Sequence, residues 1–386
     1  MKRIVSGLLV AILLISGAAV FPHRTAATPE DGEMPFEVAA KSALLMDYST
    51  GTVLFEQNAD TPLPPASVTK VMTLLLIMEA VDGGRLSLDD KIPVSERAAS
   101  MGGSQVYLEP GENVCAEDLL KSIAIASAND AALAMAETVA GSEEAFVAKM
   151  NERAAELGMK NTNFENVTGL DDSTENHVTS ARDIALMSRE LMSHEKIFEF
   201  SSLWMDSIRD GAFGLTNTNR LVRFYNGATG LKTGSTSKAG FCISATAKRD
   251  GLHLIAVIMG AETRDVRNEA AKSLLDWGFA NYAIYSNAAG ETQGIPVRGG
   301  TVRSVTGGYP AAQLLLTRGQ EKNVTVEYLS DEFIAAPVVS GDRIGTVRYA
   351  CDGKVLREDA ITAQSDVPEI GFAGLLLKMI GGYLLK

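Results

Sequence analysis

The sequence predicts an α+β fold: an antiparallel sheet with helices packed around it, then a small all-β unit and a C-terminal amphipathic helix. Three observations carry this. Strand-like runs occur in two well-separated pairs, at 42–47 with 52–56 and at 241–248 with 252–259. The long stretch between the pairs has mostly helical periodicity, which is the pattern of one α+β domain. Past Asn287 the texture changes to short β-rich runs broken by Gly, Asp and Ser.

Each element has a local reason. Ser49-Thr50-Gly51 turns the first strand pair and Arg249-Asp250-Gly251 the second. Apolar spacing predicts helices at 68–79, 116–126, 130–140 and 144–157, the last ending at Gly158. A further helix is expected at 180–192 with Ser180 as its N-cap, and one at 265–277 stopped by Gly278. In the β-rich part, strands are expected at 300–305, 313–316, 324–328 and 343–349. Near the end, Phe372, Leu375, Leu376, Met379, Ile380, Tyr383 and Leu384 share one helix face, with Gly371, Gly374, Lys378 and Gly381 off it. Such a stripe fits a helix lying in a membrane interface, with docking on the protein's own surface as the alternative.

At 386 residues the chain is too long for one ordinary core. The expected organisation is a signal peptide at 1–27, a first domain at 28–287, an all-β domain at 288–368 and the amphipathic helix at 369–386. The signal reading rests on Lys2 and Arg3, an apolar run at 4–21, and the small residues Ala26 and Ala27 behind it. Because the run approaches spanning length, an uncleaved anchor is the alternative. Either reading puts the rest of the chain outside the cytoplasm.

Composition excludes several classes. A formal charge of -13 argues against a nucleic-acid partner, which needs clustered Lys and Arg. Cys115, Cys242 and Cys351 are too few for a disulfide framework, and their spacings contain no metal signature. There is no G-x-S-x-G elbow, no H-E-x-x-H and no phosphate-binding loop. Of four histidines, His23 falls in the signal region, leaving His177, His194 and His253, the last in an apolar strand.

A lysine therefore becomes the candidate base. Ser67-Val68-Thr69-Lys70 has S-x-x-K spacing, one helical turn apart, and opens a helix that is apolar on nearly every face. An ammonium in that setting is costly, and burial lowers a lysine pKa toward that of a useful base. The bland alternative is a serine N-cap followed by a lysine reaching solvent. The same spacing recurs at 193–196 and 235–238, so the motif needs company. Ser127-Ala128-Asn129 lies between two apolar helices, and Lys232-Thr233-Gly234 precedes the second strand pair. In the order S-x-x-K, S-x-N, K-T-G, they match the motif set of penicillin-interacting serine enzymes, with Ala128 where that set has Asp.

With its flanks PPASVTKVMT, IASANDAA, NFENVTGLD and GLKTGSTSKAGF, the chain resembles the low-molecular-mass penicillin-binding proteins that are D-alanyl-D-alanine carboxypeptidases. The resemblance implies a penicillin-binding, β-lactamase-like transpeptidase domain. It implies Ser67 as nucleophile, Lys70 as base and Ser127 as proton relay. Asn129, Lys232 and Thr233 would bind substrate, and the N–H groups of Ser67 and Ser235 would form the oxyanion hole. Arg220 is a candidate for the substrate carboxylate, as is Arg264. Peptidoglycan stem peptides would be the substrate, β-lactams covalent inhibitors, and the outer face of the cytoplasmic membrane the attachment site through the C-terminal helix. No metal or organic cofactor would be required. A β-lactamase shares the three motifs and needs an added acid, for which Glu165 is suggestive. A wall-associated structural protein that has lost turnover is the other alternative.

Overall fold

The computed structural model describes residues 37–172 and 174–377. The expected signal segment at 1–27 and residues 378–386 of the expected amphipathic helix lie outside the described residues. Strands β1 (Ser42–Asp47) and β2 (Val53–Gln57) form the first hairpin, with Gly51 at φ +73° in the turn. Strands β3 (Ala228–Thr236), β4 (Gly240–Arg249) and β5 (Leu252–Ala261) join them in one antiparallel sheet, in the order β2-β1-β5-β4-β3. Chain segments far apart in sequence thus meet at β1 and β5.

Both faces of this sheet are covered. Side chains alternate along a strand, so Leu44, Met46, Ile255, Val257 and Met259 enter one core while Ala43, Leu45, Leu254, Ala256 and Ile258 enter another. The first core is built with helices α1 (Lys70–Asp82), α2 (Ala116–Ala126), α3 (Asn129–Ala140), α4 (Glu143–Glu156) and α5 (Ala181–Ser193). Helix α1 packs against α5 and α3, which is why ten of its residues are buried, on every side of it. Helix α6 (Arg264–Asn281) covers the opposite face with Leu274, Leu275 and Trp277.

Two helix boundaries differ from expectation, each for a physical reason. The segment expected as helix from Val68 opens instead with a 3-10 turn, Ala66–Thr69, and the α-helix starts at Lys70. Helix α6 does not stop at Gly278 but runs through it. A Cβ at 278 would lie 2.6 Å from Leu254 Cδ1 and 2.9 Å from Leu45 Cδ2, so this glycine lets the helix sit close on the sheet.

The all-β unit has its own core, including Val347, Tyr349, Ile361 and Ala363. Strand β6 (Tyr282–Asn287) leaves α6 and pairs along its whole length with β7 (Ala312–Thr317), tying the two units together. Strand β8 (Val324–Leu329) pairs with β9 (Arg343–Cys351), and β9 with β10 (Lys354–Ala363). Strand β10 was not expected: Lys354, Arg357, Glu358 and Asp359 interrupt its apolar pattern. The run expected at 300–305 is a strand only at Ser304–Val305. Residues 372–377 are helical, with Phe372, Leu375, Leu376 and Leu377 exposed. Among the described residues no helix is long and apolar enough to cross a membrane.

Candidate active site

Among the described residues strand β3 is an edge strand, paired only with β4, and its open side lies against the turn that precedes α1. Ser67 sits in that 3-10 turn, where residues i and i+3 eclipse, so Ser67 and Lys70 are aligned. Lys70 Nζ donates to Ser67 Oγ at 3.0 Å and to the Thr168 carbonyl at 2.9 Å. The residue is 0% exposed, and Pro65, not Ser67, occupies the cap position of the turn. Neither a capping serine nor a lysine reaching solvent describes this pair. Burial drives the Lys70 ammonium well below the ordinary lysine range; the positive Lys232 adds to this and Asp130 opposes it. An amine whose pKa is lowered in this way, beside a serine hydroxyl, has the geometry a general base needs.

The second motif closes the end of α2. Ser127 is the C-cap in a left-handed conformation, φ +63°, and Asn129 begins α3. Asn129 Nδ2 donates to Gly102 O at 2.7 Å and its N–H to Ser104 O at 2.7 Å. Asp130 accepts from the N–H groups of Val106 and Leu108 at 3.0 and 3.1 Å, fixing the adjoining loop. Ser127 Oγ and Asn129 Oδ1 are buried with no hydrogen-bond partner among the described residues. Buried polar atoms are almost always paired, so these two have hydrogen-bonding capacity left for a water or a bound group.

The third motif lies on β3. Lys232, 1% exposed, donates to Thr233 O at 2.9 Å; burial, and then the nearby Arg267, push it down to about 7. Thr233 Oγ1 donates to Thr218 Oγ1 at 2.8 Å, and Thr218 N–H donates to Ile125 O, so residue 218 links β3 to the end of α2. A Cβ at Gly234 would stand 2.7 Å from the Ser67 nitrogen, 2.8 Å from that of Val68 and 2.9 Å from Pro65 O. Only glycine lets strand and turn approach this closely. Ser235 follows as an exposed residue on the same strand.

The two arginine candidates for the substrate carboxylate are both on the surface. Arg220 is exposed, its guanidinium 5.9 Å from the centre of the Phe224 ring, and Arg264 is exposed at the start of α6. The buried one is Arg267, which bonds Asn268 Oδ1 through Nε and Nη2 and reaches Cys242 O at 3.4 Å.

A loop, 165–177, completes the wall. Asn166 Oδ1 accepts from Thr168 and Gly169 N–H at 3.1 and 2.7 Å, which aims the Thr168 carbonyl at Lys70. Gly169 has φ +80°, and a Cβ there would be 1.8 Å from Ala66 O. Glu165 is exposed, and its Oε2 accepts from Glu175 and Asn176 N–H at 3.1 and 3.2 Å.

Comparison with known proteins decides what this arrangement belongs to. A family model described as D-alanyl-D-alanine carboxypeptidase matches residues 25–263, and one described as the C-terminal domain of penicillin-binding protein 5 matches 288–369. The chain belongs to the D-alanyl-D-alanine carboxypeptidase family. The carboxypeptidase DacF of Bacillus subtilis is 42% identical over 99% of this chain and 99% of its own length, and DacC of Escherichia coli 33% over 94% and 93%. Penicillin-binding protein 5 of Haemophilus influenzae superposes with a TM-score of 0.73 at 31% identity, covering 88% of this chain and all of that one. Penicillin-binding protein D2 of Listeria monocytogenes, solved in an ampicillin-bound form, is 33% identical with a TM-score of 0.58, covering 63% of this chain and 99% of that one. The chain is thus a serine peptidase of this carboxypeptidase family, with an N-terminal penicillin-binding domain and an all-β C-terminal domain.

Several groups of this carboxypeptidase site escaped sequence reading. Thr218 and Arg267 are a short polar residue in a loop and a helix arginine, with nothing local to distinguish them. The Thr168 carbonyl is a backbone group and leaves no signature. Gly169 and Gly234 were visible as glycines, but only the fold shows what each must approach.

Proposed function

We propose that the chain removes the terminal D-alanine of peptidoglycan stem pentapeptides through an acyl-enzyme on Ser67. Lys70, as the neutral amine, takes the Ser67 proton while Oγ bonds to the carbonyl carbon between the two D-alanines. The C–N bond then breaks, the leaving amine collects a proton through Ser127, and water later cleaves the ester to free the shortened peptide and Ser67. Asn129 holds the substrate amide, and Lys232 with Thr233 the terminal carboxylate. The Ser67 and Ser235 N–H groups face the developing oxyanion. Arg220, exposed two residues beyond Thr218, is a further candidate to pair with that carboxylate.

The observation that carries this reading is the 3.0 Å contact of a fully buried Lys70 amine with Ser67 Oγ. The unpaired Ser127 Oγ and Asn129 Oδ1 support it, since a bound peptide would satisfy both. β-Lactams would acylate the same serine. Against a β-lactamase stands Glu165, whose carboxylate is engaged with loop backbone. The proposal extends to an exported enzyme held at the outer face of the cytoplasmic membrane by 369–386, supported by the apolar stripe there.

Mass spectrometry of the penicillin adduct should place the label on Ser67, and Ser67→Ala should lose D-alanine release from diacetyl-Lys-D-Ala-D-Ala. A label elsewhere would overturn the assignment. For the attachment, deletion of 369–386 should release the protein from membranes with activity kept; continued sedimentation would refute the anchor.

A further inference from the structure

Behind the Ser67 turn lies a buried histidine that the proposed chemistry does not use. His177 is 5% exposed, and both ring nitrogens are engaged. Nδ1 lies 3.0 Å from the backbone N–H of Glu165, which can only donate, so Nδ1 is the unprotonated nitrogen. The proton is therefore on Nε2, which donates to Thr69 Oγ1 at 2.8 Å. Thr69 Oγ1 in turn donates to Ala66 O at 2.9 Å.

The two ends of this chain are significant. Ala66 has φ +48°, unusual for a residue with a side chain, and immediately precedes Ser67. Glu165 opens the loop whose Thr168 carbonyl accepts from Lys70 and whose Gly169 packs on Ala66 O. The ring is held edge-on against Phe164, centroids 5.8 Å apart. Burial takes His177 down to about 4, while Glu165 and Asp171, the carboxylates that face it, pull the other way. The two hydrogen bonds fit the neutral ring with its proton on Nε2.

We propose that His177 is a positioning residue: one neutral imidazole clamps the Ser67 turn to the 165–170 loop and so keeps Lys70 dry and aligned on Ser67 Oγ. This rests on the reading of Ser67 and Lys70 as nucleophile and base. Without the clamp the loop lifts, water reaches Lys70, and its amine returns toward an ordinary lysine value. The acid limb of the acylation profile, which reports loss of the Lys70 proton, then moves to higher pH. Misplacing the loop by a fraction of an ångström to an ångström also slows acylation, on the order of 10- to 100-fold.

The test follows acylation of the full chain by a fluorescent penicillin, as rate against concentration and pH, in His177→Ala, His177→Asn and His177→Gln. Asparagine keeps the acceptor for Glu165 N–H and glutamine the donor to Thr69. We expect His177→Ala to lose 10- to 100-fold in the acylation step with little change in penicillin binding. Its acid limb should shift upward, and one or both amide variants should recover part of the rate. If His177→Ala does not fold, the two amide variants carry the same comparison. Unchanged rate and unchanged limb in the folded variants would overturn the proposal, as would a slower rate with the limb unmoved. Ser67→Ala is run beside them. Labelling of that variant would sink the nucleophile assignment itself, whereas its loss with normal His177 variants sinks only the clamp.

Discussion

The backbone nitrogen of Ser67 lies 2.7 Å from the point where a Cβ on residue 234 would stand, so the Ser67 turn and the edge of β3 are in contact through a glycine. The approach brings the Ser67 N–H beside the strand that carries Ser235, the pair assigned above to the oxyanion. One methyl group at 234 would meet three backbone atoms, none of which is the end of a flexible side chain. Gly234→Ala is therefore expected to push β3 off the turn and cost about 100-fold or more in penicillin acylation. Cooperative thermal melting should persist, because the clash lies at a sheet edge. An alanine variant acylating at the parent rate would show that the contact is not needed.

Lys70 should be separable in chemistry from its role in the fold. Its side chain is fully buried, near another cation, and compensated by one hydroxyl and one carbonyl. Lys70→Ala removes the proposed base, and acylation should drop by about 100- to 10,000-fold. It also removes a buried amine whose burial is itself unfavourable, so thermal stability should change little or rise. Normal penicillin labelling of this variant would refute the base assignment.

Lys232 supplies an alkaline limit. Its folded value of about 7 lies below the ordinary 10.5, so it is charged below neutrality and loses its proton as pH rises through 7. If it attracts the substrate carboxylate, kcat/KM for a D-Ala-D-Ala peptide should fall on the alkaline side of about pH 7. Burial is the larger cause of the depression and Arg267 the smaller. Arg267→Gln should therefore move that limb to higher pH without abolishing turnover. A limb that stays in place in the variant would remove Arg267 from the electrostatics of the site.

Much of this was legible in the sequence because the chemistry-bearing residues are contiguous. S-x-x-K, S-x-N and K-T-G each sit on one short segment, and the apolar surround of Lys70 was visible as an unbroken greasy helix. What could not be read depends on contacts between distant segments. His177 and Thr69 are 108 positions apart, and Thr168 O reaches Lys70 across 98. Strand β10 was hidden because its outward side chains are charged and its alternation is imperfect. Gly278 was misjudged for a related reason. Glycine after a helical run commonly ends it, and nothing local reports that a sheet presses on that residue.

That misjudgement gives a stability prediction with opposed terms. In an exposed helix interior, replacing glycine by alanine gains about 1 kcal/mol, because alanine loses less backbone freedom. Here the added methyl meets Leu254 Cδ1 at 2.6 Å and Leu45 Cδ2 at 2.9 Å, side chains of two adjacent strands that are themselves fully buried. Overpacking at such a site costs about 1–3 kcal/mol, since neither leucine can rotate without disturbing the second core. The cost exceeds the gain, and Gly278→Ala should lower the midpoint of chemical unfolding. Penicillin acylation of the folded variant should be little changed, because Gly278 packs on Leu254 and Leu45 of the second core, about three turns along α6 from Arg267. A raised midpoint would mean that the helix end, and not the sheet contact, decides this position.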